Sequence, residues 1–419
     1  MAAIALIGGR ARANGAFPDE FSVHFPPGAP HRILVGANFG LLISEDDGAT
    51  WRYSCEPYVT MGSSAALSPW SVFYYQVTAD GAILADSVEV TRSTDVGCTW
   101  PASGGISSSE TVADLFPDPN DATFVLAIVY VMGGSYVVAS HDGGKSFDSP
   151  KLYTTSDLLK GIEISKTTPT VVYATQVATT GASPVLLKST DRGQNWVPIT
   201  LPASGQTEPR ILAIDPEDAN TVYLRLFTGT TDSIVITRDG GQTFEPPFTV
   251  PGAFTSFLRA GDGALHAGMI DGSLYVRAPG KATFEKRTGP RLRCLGQRPG
   301  TSRIYACGDM FLDGFSFAKS DDGGLTFQKV MSFNELLGPL TCSTVQTSCA
   351  AHWERIQQVL AIGGTDAGQP GSGSADAGVP KPPLSGGHCA SAGVEGSALA
   401  LLLLFACGRR TGIRLRRAR

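Results

Sequence analysis

The side chains that most often carry catalysis are not spaced for it in this sequence. None of the six His forms an H-E-x-x-H pair, and none of the eight Cys forms a C-x-x-C spacing. Lys145 and Ser146 follow a glycine as at the end of a phosphate loop, but Ala139 stands where that loop needs its first glycine. No G-x-S-x-G turn and no D-x-D-x-D-G calcium loop occurs. We therefore expect no cofactor and no metal, and no residue is selected as catalytic.

Paired carboxylates are the other chemistry that this composition allows. A glycoside hydrolase needs two carboxyl groups about 5–10 Å apart on either side of a cleft. The chain has 38 Asp and Glu, but most of them fall in turns and their spacing selects no pair. The sequence therefore favours binding over catalysis, with a secreted glycoside hydrolase or lyase as the enzymatic alternative.

The charge distribution argues against a nucleic-acid partner. The net charge is −5, and six Arg stand in the last eleven residues. Residues 1–388 therefore hold 27 basic and 37 acidic side chains. Phosphate binding needs a cationic face, so the expected ligand is a protein or a polysaccharide.

The elements that position any site are indicated by an octapeptide that recurs six times. Its pattern is [ST]-x-D-x-G-x-[TSN]-[WF], and the copies begin at residues 44, 93, 140, 189, 237 and 320. The Asp can accept hydrogen bonds from the turn's own N–H groups, the Gly can take a positive φ, and the aromatic ring can pack in the core. These structural residues are Asp46, Asp95, Asp142, Asp191, Asp239 and Asp322, with Trp51, Trp100, Phe147, Trp196, Phe244 and Phe327.

The spacing of the octapeptides predicts the fold. The first four intervals are 47 to 49 residues, and the fifth, of 83 residues, is nearly two units long. Within that fifth interval YVRAPGKATF at 275–284 keeps a Gly and the aromatic residue without the Asp, as a decayed copy. Each unit contains four short segments rich in β-branched and aromatic residues. With 49 Gly and 27 Pro, many short strands are expected. We predict an all-β, seven-bladed β-propeller of four-stranded antiparallel blades over residues 14–362, with a six-bladed ring as the alternative.

The octapeptide is similar to the Asp box of BNR-type β-propellers. That class includes sialidases, sortilin-like receptors, xyloglucan hydrolases and photosystem II assembly factors. The resemblance covers about residues 20–331 and implies the propeller fold rather than an activity. By analogy with the assembly factors, it adds an envelope assembly factor as a third functional hypothesis.

Both ends of the chain suggest export. Residues 1–13 contain a short apolar run and the A-x-A pattern Ala11-Arg12-Ala13, which predicts a partial signal peptide. Residues 363–388 are rich in Gly, Pro and Ser and predict a disordered linker. Cys389, a short hydrophobic stretch and the terminal Arg cluster follow over residues 389–419.

This C-terminal order resembles the myxobacterial C-terminal sorting domain. The resemblance implies processing near Cys389 by a sorting protease, attachment of a lipid and display at the cell surface or outer membrane, with release as a further possibility. A plain single-pass anchor is the alternative.

The other cysteines and the segment after the last octapeptide predict three disulfides and one helix. Cys294 and Cys307 are equidistant from the turn at Pro299-Gly300, so we expect them to face each other across a hairpin as a disulfide. A short amphipathic helix is expected where Trp353, Ile356, Val359 and Leu360 recur at helical spacing. Cys342 and Cys349 are predicted to pair and fix that helix, which leaves Cys55 and Cys98 to pair by elimination.

A binding site is expected on the face opposite the octapeptides. That face carries the turns between second and third strands and the links between blades, and loops on a rigid scaffold concentrate function. The candidate binding residues are Tyr58 and Trp70 in one link and Asp309 and Phe311 in one turn. The leading hypothesis is a surface-displayed, non-enzymatic propeller that binds a protein or polysaccharide of the cell envelope or its surroundings.

Overall fold

The strands of this chain form seven antiparallel sheets, which are the seven blades of a β-propeller. The structure is a computed structural model, and it describes residues 20–61, 74–86, 89–205, 207–360 and 362. Six sheets have four strands each in chain order, and the sheet of the second blade has three. The predicted seven-bladed fold is therefore confirmed, and the six-bladed alternative is wrong.

The strands of the first four blades have the following bounds. Blade 1 contains β1 (Glu20–His24), β2 (Ile33–Ala37), β3 (Gly40–Ser44) and β4 (Arg52–Cys55), and blade 2 contains β5 (Tyr74–Val77), β6 (Ile83–Asp86) and β7 (Val90–Ser93). Blade 3 contains β8 (Thr111–Pro117), β9 (Val125–Val131), β10 (Gly134–Ser140) and β11 (Tyr153–Thr155), and blade 4 contains β12 (Leu158–Ile164), β13 (Val172–Val177), β14 (Val185–Ser189) and β15 (Val197–Thr200).

The last three blades continue the same order. Blade 5 contains β16 (Glu208–Ile214), β17 (Val222–Phe227), β18 (Thr231–Thr237) and β19 (Phe248–Pro251), and blade 6 contains β20 (Phe254–Arg259), β21 (Leu265–Met269), β22 (Ser273–Arg277) and β23 (Glu285–Thr288). Blade 7 contains β24 (Cys294–Gln297), β25 (Ile304–Cys307), β26 (Phe317–Ser320) and β27 (Gln328–Met331). The described residues also form two α-helices, α1 (Glu56–Val59) and α2 (Ser343–Leu360), and a 3-10 helix at Phe333–Glu335.

The first strand of every blade lies innermost, around a central channel. Successive inner strands contact one another around the whole ring, and β24 of the last blade contacts β1 of the first. Because each blade is a meander, its first–second and third–fourth turns lie on one face, which we call the octapeptide face. Its second–third turns and the links between blades lie on the other, which we call the loop face. The apolar core is divided among the spaces between neighbouring blades.

The octapeptides are the third–fourth turns of six blades, and each is tied together by its own side chains. In blade 1, the Thr50 N–H donates to Asp46 Oδ1 at 2.8 Å and the Gly48 N–H donates to Ser44 Oγ at 2.8 Å. Gly48 has a φ of +91°, which a side chain would strain. The same bonds recur in the turns of blades 2, 3, 4, 5 and 7.

The aromatic ends of the octapeptides are buried to different extents. Trp51, Trp100 and Phe147 lie fully in the core, as the sequence predicts. Trp196, Phe244 and Phe327 are only half-buried and pack on the edges of their clusters. The hydrogen-bond pattern is therefore the same in all six turns, whereas the burial of the aromatic residue varies.

The third–fourth turn of blade 6 is the divergent one, as the decayed copy of the octapeptide predicts. Residues 278–284 connect β22 to β23, and Pro279 stands where the other turns carry Asp. The Arg277 Nε donates to the Lys281 carbonyl at 2.6 Å, so a guanidinium group ties this turn instead of a carboxylate.

Helix α2 packs against the outer strand of blade 1. Ile356 and Leu360 are buried on its inner side, and the Trp353 ring lies 5.6 Å from that of Tyr53. Val359 is 51% exposed, so the prediction that it belongs to the buried side is wrong. The segment before α2 runs parallel to β4, since the Tyr53 N–H donates to the Gly338 carbonyl.

Three disulfides are formed among the described residues, and two differ from the predicted pairs. Cys294 bonds Cys307 across β24 and β25, with a Cα–Cα distance of 4.9 Å, as predicted. However, Cys55 bonds Cys349, and Cys98 bonds Cys342. The predicted pairs Cys342–Cys349 and Cys55–Cys98 are therefore wrong, because α2 brings Cys349 to blade 1 and the residue just before the helix, Cys342, reaches blade 2.

The predicted terminal segments lie outside the described residues. These are the signal peptide at 1–13, the linker at 363–388 and the sorting segment at 389–419 with Cys389. In the part of the chain that the structure describes, no helix has both the length and the apolar character needed to cross a membrane.

Candidate functional site

Three of the four residues that the sequence selects lie in the described part of the chain, at two separate places in the propeller. Tyr58 is half-buried beside blade 2, and its hydroxyl donates to the Cys98 carbonyl of an octapeptide at 3.0 Å. Asp309 and Phe311 lie together in the second–third turn of blade 7, where Asp309 Oδ1 accepts the Phe311 N–H at 2.9 Å. Trp70 lies outside the described residues. Asp309 thus holds its own turn, and Phe311 remains 70% exposed.

The central channel opens on the loop face into a cavity of about 480 Å³, which we call the channel pocket. Arg225 and Phe227 lie at the end of β17 that leads into a second–third turn, and Tyr74 begins the inner strand of blade 2, so the pocket lies toward the loop face. The lining comes mainly from the inner strands β5, β8, β12 and β16, and includes Tyr74, Gln76, Asp114, Phe116, Lys160, Glu163, Glu208, Arg210, Arg225 and Phe227.

Irregular backbone helps to aim these side chains. The pairing of the inner strand with its neighbour shifts register between Val112 and Asp114, between Leu159 and Gly161, and between Ile211 and Ala213. Such bulges turn a side chain away from strict alternation and are common next to functional sites. The bulges lie on three consecutive inner strands that line the channel pocket.

Two carboxyl groups of the pocket also connect neighbouring blades. Asp114 Oδ2 accepts the Ile162 N–H of the next inner strand at 2.8 Å, and its Oδ1 accepts the Leu115 N–H at 2.9 Å. Glu163 Oε2 in turn accepts the Ile214 N–H of the following blade at 3.0 Å. These bonds satisfy backbone N–H groups on the edge of each inner strand that has no strand partner.

Burial raises the pKa values of Asp114 and Glu163 in the pocket and of Asp86 on β6. Burial raises the pKa of Asp114 to about 6, although its backbone hydrogen bonds oppose the shift. Burial, together with the Asp114 charge, raises the pKa of Asp86 to about 8 and that of Glu163 to about 8. At neutral pH, Asp86 and Glu163 are therefore mostly protonated donors, and Asp114 is mostly an ionised acceptor.

Cationic side chains lie on the same wall. The Arg210 Nη1 donates to the Lys160 carbonyl at 2.6 Å, and its Nη2 lies 2.9 Å from Glu208 Oε1. Arg225 pairs with the buried Asp232 at 2.6 Å. The pocket therefore presents donors and acceptors of both signs in one small space. No cluster of three His, Cys, Asp or Glu that could hold a metal ion occurs among the described residues.

Exposed apolar side chains lie on the same face at the tips of second–third turns. Met132 follows β9, Ile270 follows β21, and Phe311 follows β25. Their side chains are 104%, 44% and 70% exposed, respectively. The channel pocket thus lies on a face that also offers apolar contacts farther out.

The channel pocket was not identified by sequence reasoning. Its charged residues come from inner strands about 50 residues apart, and nothing local indicates which of them meet. A partial signal exists, because Asp114, Lys160 and Glu163 interrupt otherwise apolar inner strands. A charge in such a strand either faces the channel or must be paired.

Comparison with known proteins finds the fold but no family. No protein-family model and no curated protein matches the chain. Among solved structures, the Dos1 propeller is similar with a TM-score of 0.52 at 8% identity, over 75% of this chain and 81% of that chain. This likeness shows the propeller fold alone.

Two further solved structures are more distant in shape. YCF48 bound to D1 peptide has a TM-score of 0.36 at 18% identity, over 53% of this chain and 66% of that chain, slightly less than two thirds of its length. The GH74 xyloglucanase from Xanthomonas campestris has a TM-score of 0.36 at 12% identity, over 74% of this chain and 78% of that chain.

Proposed function

We propose that this propeller is an exported, surface-displayed and non-enzymatic binding module for a polysaccharide of the cell envelope or its surroundings. The observation that carries the proposal is the channel pocket. Its volume of about 480 Å³ lies within the ~300–1,000 Å³ typical of ligand pockets. The pocket opens on the face where a propeller presents its links and second–third turns.

The chemistry of the lining suits a hydroxyl-rich ligand. A sugar hydroxyl both donates and accepts hydrogen bonds. Protonated Glu163 and the Lys160 side chain can donate, and the carboxyl oxygens of Asp114 and Glu208 can accept. The Tyr74 ring is 56% exposed within the pocket and offers an apolar surface for a sugar ring.

Export rests on different observations. Three disulfides among the described residues are typical of an oxidising compartment. Surface display rests on the linker, Cys389 and the terminal Arg cluster of the sequence. These features support the location and are independent of the channel pocket.

A glycoside hydrolase is the second candidate, and the channel carboxyls favour it. A carboxyl group that stays protonated near neutral pH can act as a general acid, and Glu163 meets that condition. Its Oε1 carries no hydrogen bond within the described part of the chain, whereas both oxygens of Asp114 accept backbone N–H groups. We favour binding because Asp114, the nearby candidate for the second carboxylate, is already engaged in the fold.

The test measures binding and hydrolysis in the same samples. Purified protein is incubated with a panel of neutral and acidic envelope and plant polysaccharides and with extracted surface proteins, and both the bound fraction and released reducing sugar are measured. We expect retention without sugar release, and about tenfold weaker retention by Tyr74→Ala, which removes an exposed ring and so leaves the fold stable.

Phe311→Ala is the matched control, because it removes an exposed ring on the same face outside the pocket lining. If Phe311→Ala weakens retention and Tyr74→Ala does not, a protein partner on the outer loop face replaces the polysaccharide. Sugar release that is lost in Glu163→Gln would establish the hydrolase instead.

A further inference from the structure

A second cavity lies on the octapeptide face at the junction of blades 5 and 6. Its volume is about 450 Å³, and we call it the cationic pocket. It is lined by turns of that face, and its charged side chains are Asp215, Arg238, Arg259, Arg277 and Lys281. It thus opens on the opposite face from the channel pocket.

The divergent turn of blade 6 creates one wall of this pocket. Where the other third–fourth turns carry Ser or Thr followed by Asp, this turn carries Arg277 and Pro279. Arg277 Nε bonds the Lys281 carbonyl at 2.6 Å, and its Nη1 bonds Glu245 Oε2 of blade 5 at 2.7 Å. The loss of the octapeptide therefore replaces a self-contained turn with cationic side chains that reach the neighbouring blade.

The other two guanidinium groups are held in place as well. Arg238 Nε lies 2.6 Å from Glu245 Oε1, so one carboxylate holds both Arg238 and Arg277. Arg259 pairs with Asp215 at 3.0 Å, and both side chains are only 9% exposed. Asp215 also accepts the Tyr223 hydroxyl at 2.8 Å, so its negative charge is compensated within the wall.

The charges of the pocket do not cancel. Four cationic side chains and one carboxylate line it, and two further carboxylates, Glu217 and Glu245, pair with the Arg groups from its edge. One positive charge remains, in a body in which acids outnumber bases by ten over residues 1–388. The Lys281 ammonium has no partner in the described part of the chain. Arg277 Nη2 has none there either.

We propose that the cationic pocket binds an oxyanion, a carboxylate or a phosphate group, on a ligand separate from that of the channel pocket. Fixed guanidinium groups bind carboxylate and phosphate oxygens in pairs, and a flexible ammonium group adds a point charge. Arg238 and Arg277 supply the fixed donors, and Lys281 supplies the mobile one. This site goes beyond the proposed polysaccharide binding and does not depend on it.

The test is calorimetric titration of the purified protein with four probes at low ionic strength: inorganic phosphate, sulfate, acetate and glucuronate. We expect saturable binding of at least one probe. Lys281→Ala should weaken it about fivefold, since it removes an exposed, unpaired charge without disturbing the fold. Arg238→Gln should weaken it about tenfold. Arg303→Gln is the matched control, because Arg303 is an octapeptide-face arginine of blade 7, outside the pocket lining, whose ion pair in the described chain is with Asp321.

The outcomes separate the possible sources of the anion. Tighter binding of phosphate or sulfate indicates a phosphorylated or sulfated ligand, and tighter binding of glucuronate indicates a carboxylated sugar. No saturable binding of any probe overturns the proposal, as does binding that both variants leave unchanged. If Arg303→Gln weakens binding as much as the pocket variants do, the proposal is also overturned, because the binding would then depend on the protein's overall charge rather than on this pocket.

Discussion

A single carboxylate holds each octapeptide turn together. In blade 4, Asp191 Oδ1 accepts the Asn195 N–H and the Ser189 hydroxyl, both at 2.8 Å, and Oδ2 accepts the Asn195 side-chain amide at 2.7 Å. These hydrogen bonds, led by the Asn195 side chain, lower the pKa of Asp191 to about 2. The ionised form is therefore favoured by the fold, although Asp191 lies at the surface.

Asp191→Ala should lower the melting temperature by a few degrees at neutral pH. The folded pKa lies below the unfolded value of ~3.9, so the stabilisation is present above about pH 4 and is lost as the pH falls toward 2. Thermal unfolding followed by circular dichroism between neutral pH and about pH 3 measures the difference in melting temperature between the wild type and Asp191→Ala. This difference should become smaller as the pH falls.

Asp321→Ala is the control for this variant. Asp321 occupies the second position of the blade 7 octapeptide and forms a surface ion pair with Arg303. Surface pairs contribute little, so its melting curve should match that of the wild type. Equal curves for Asp191→Ala and the wild type would contradict the structural role of the carboxylate.

The residue scale also shows what a sequence can predict. The bonds of Asp191 involve partners within four residues, so the octapeptide alone predicts them. Asp114 and Glu163 bond backbone N–H groups 48 and 51 residues away. Their environment depends on how blades pack, and the local sequence does not encode it.

Among elements, neighbouring blades are joined by side chains as well as by packing. Glu163 of β12 bonds the backbone of β16, and Asp232 of β18 bonds the Phe254 N–H of β20 at 2.8 Å. Carboxyl groups thus cross from one blade to the next where no sheet hydrogen bond can. Protonation of such a group changes the free energy of the contact between blades.

Glu163→Gln should stabilise the propeller in alkaline solution. Because the folded pKa is raised to about 8, the folded state retains a proton that the unfolded chain releases above ~4.3. Wild-type stability therefore falls as the pH rises between these values. Gln keeps an oxygen for the Ile214 N–H and carries no charge, so it should be more stable by roughly 1–3 kcal/mol near pH 9.

Urea denaturation of the wild type and Glu163→Gln at several pH values measures this difference, which should shrink toward acidic pH. Glu285→Gln, on the exposed outer strand of blade 6, is the control and should show no such trend. Parallel stability curves for the wild type and Glu163→Gln would show that Glu163 is ionised in the fold throughout.

The cysteines show the limit of sequence reasoning for elements. Cys294 and Cys307 are paired by a hairpin of 13 residues, so strand register alone predicts their bond. The other two disulfides join cysteines that are separated by 294 and 244 positions in the sequence. They depend on where α2 docks, and the periodicity of a helix indicates that it is amphipathic without indicating which blade it covers.

At the scale of the whole molecule, the ring is closed without exchange of a strand between its ends. Blade 1 is made of β1–β4 and blade 7 of β24–β27, so each terminal blade comes from one continuous stretch. The closing contact is between β1 and β24. The segment beside β4, helix α2 and its two disulfides then join the end of the propeller to blades 1 and 2.

Removing both of these disulfides should lower the free energy of unfolding by more than the sum of the two single removals. While one bond remains, the other closes a loop of about 50 residues, worth ~4 kcal/mol by chain entropy. When both disulfides are replaced by Ser pairs, the second one removed no longer closes a loop of about 50 residues but one of 244. By chain entropy, the loss of that longer loop lowers the free energy of unfolding by ~5 kcal/mol. Chemical denaturation of the three variants should therefore give an excess loss of roughly 1 kcal/mol.

The Cys294→Ser/Cys307→Ser pair is the control, because its 13-residue loop is independent of the other two bonds. Its cost should add to either single removal without excess. Strict additivity of the two α2 disulfides would contradict the account of a shared loop.

The attachment of α2 also determines how the molecule carries tension. A pull on the chain beyond Leu360 reaches Cys349 first and passes through a covalent bond to Cys55, at the end of β4. The load therefore enters the first blade without passing through the strands of blade 7. Without the Cys55–Cys349 disulfide, the same pull would act on the outer strand of blade 7 and break its hydrogen bonds one after another. A tether on this side of the protein can bear force while the propeller, and any ligand held in its channel, stays intact.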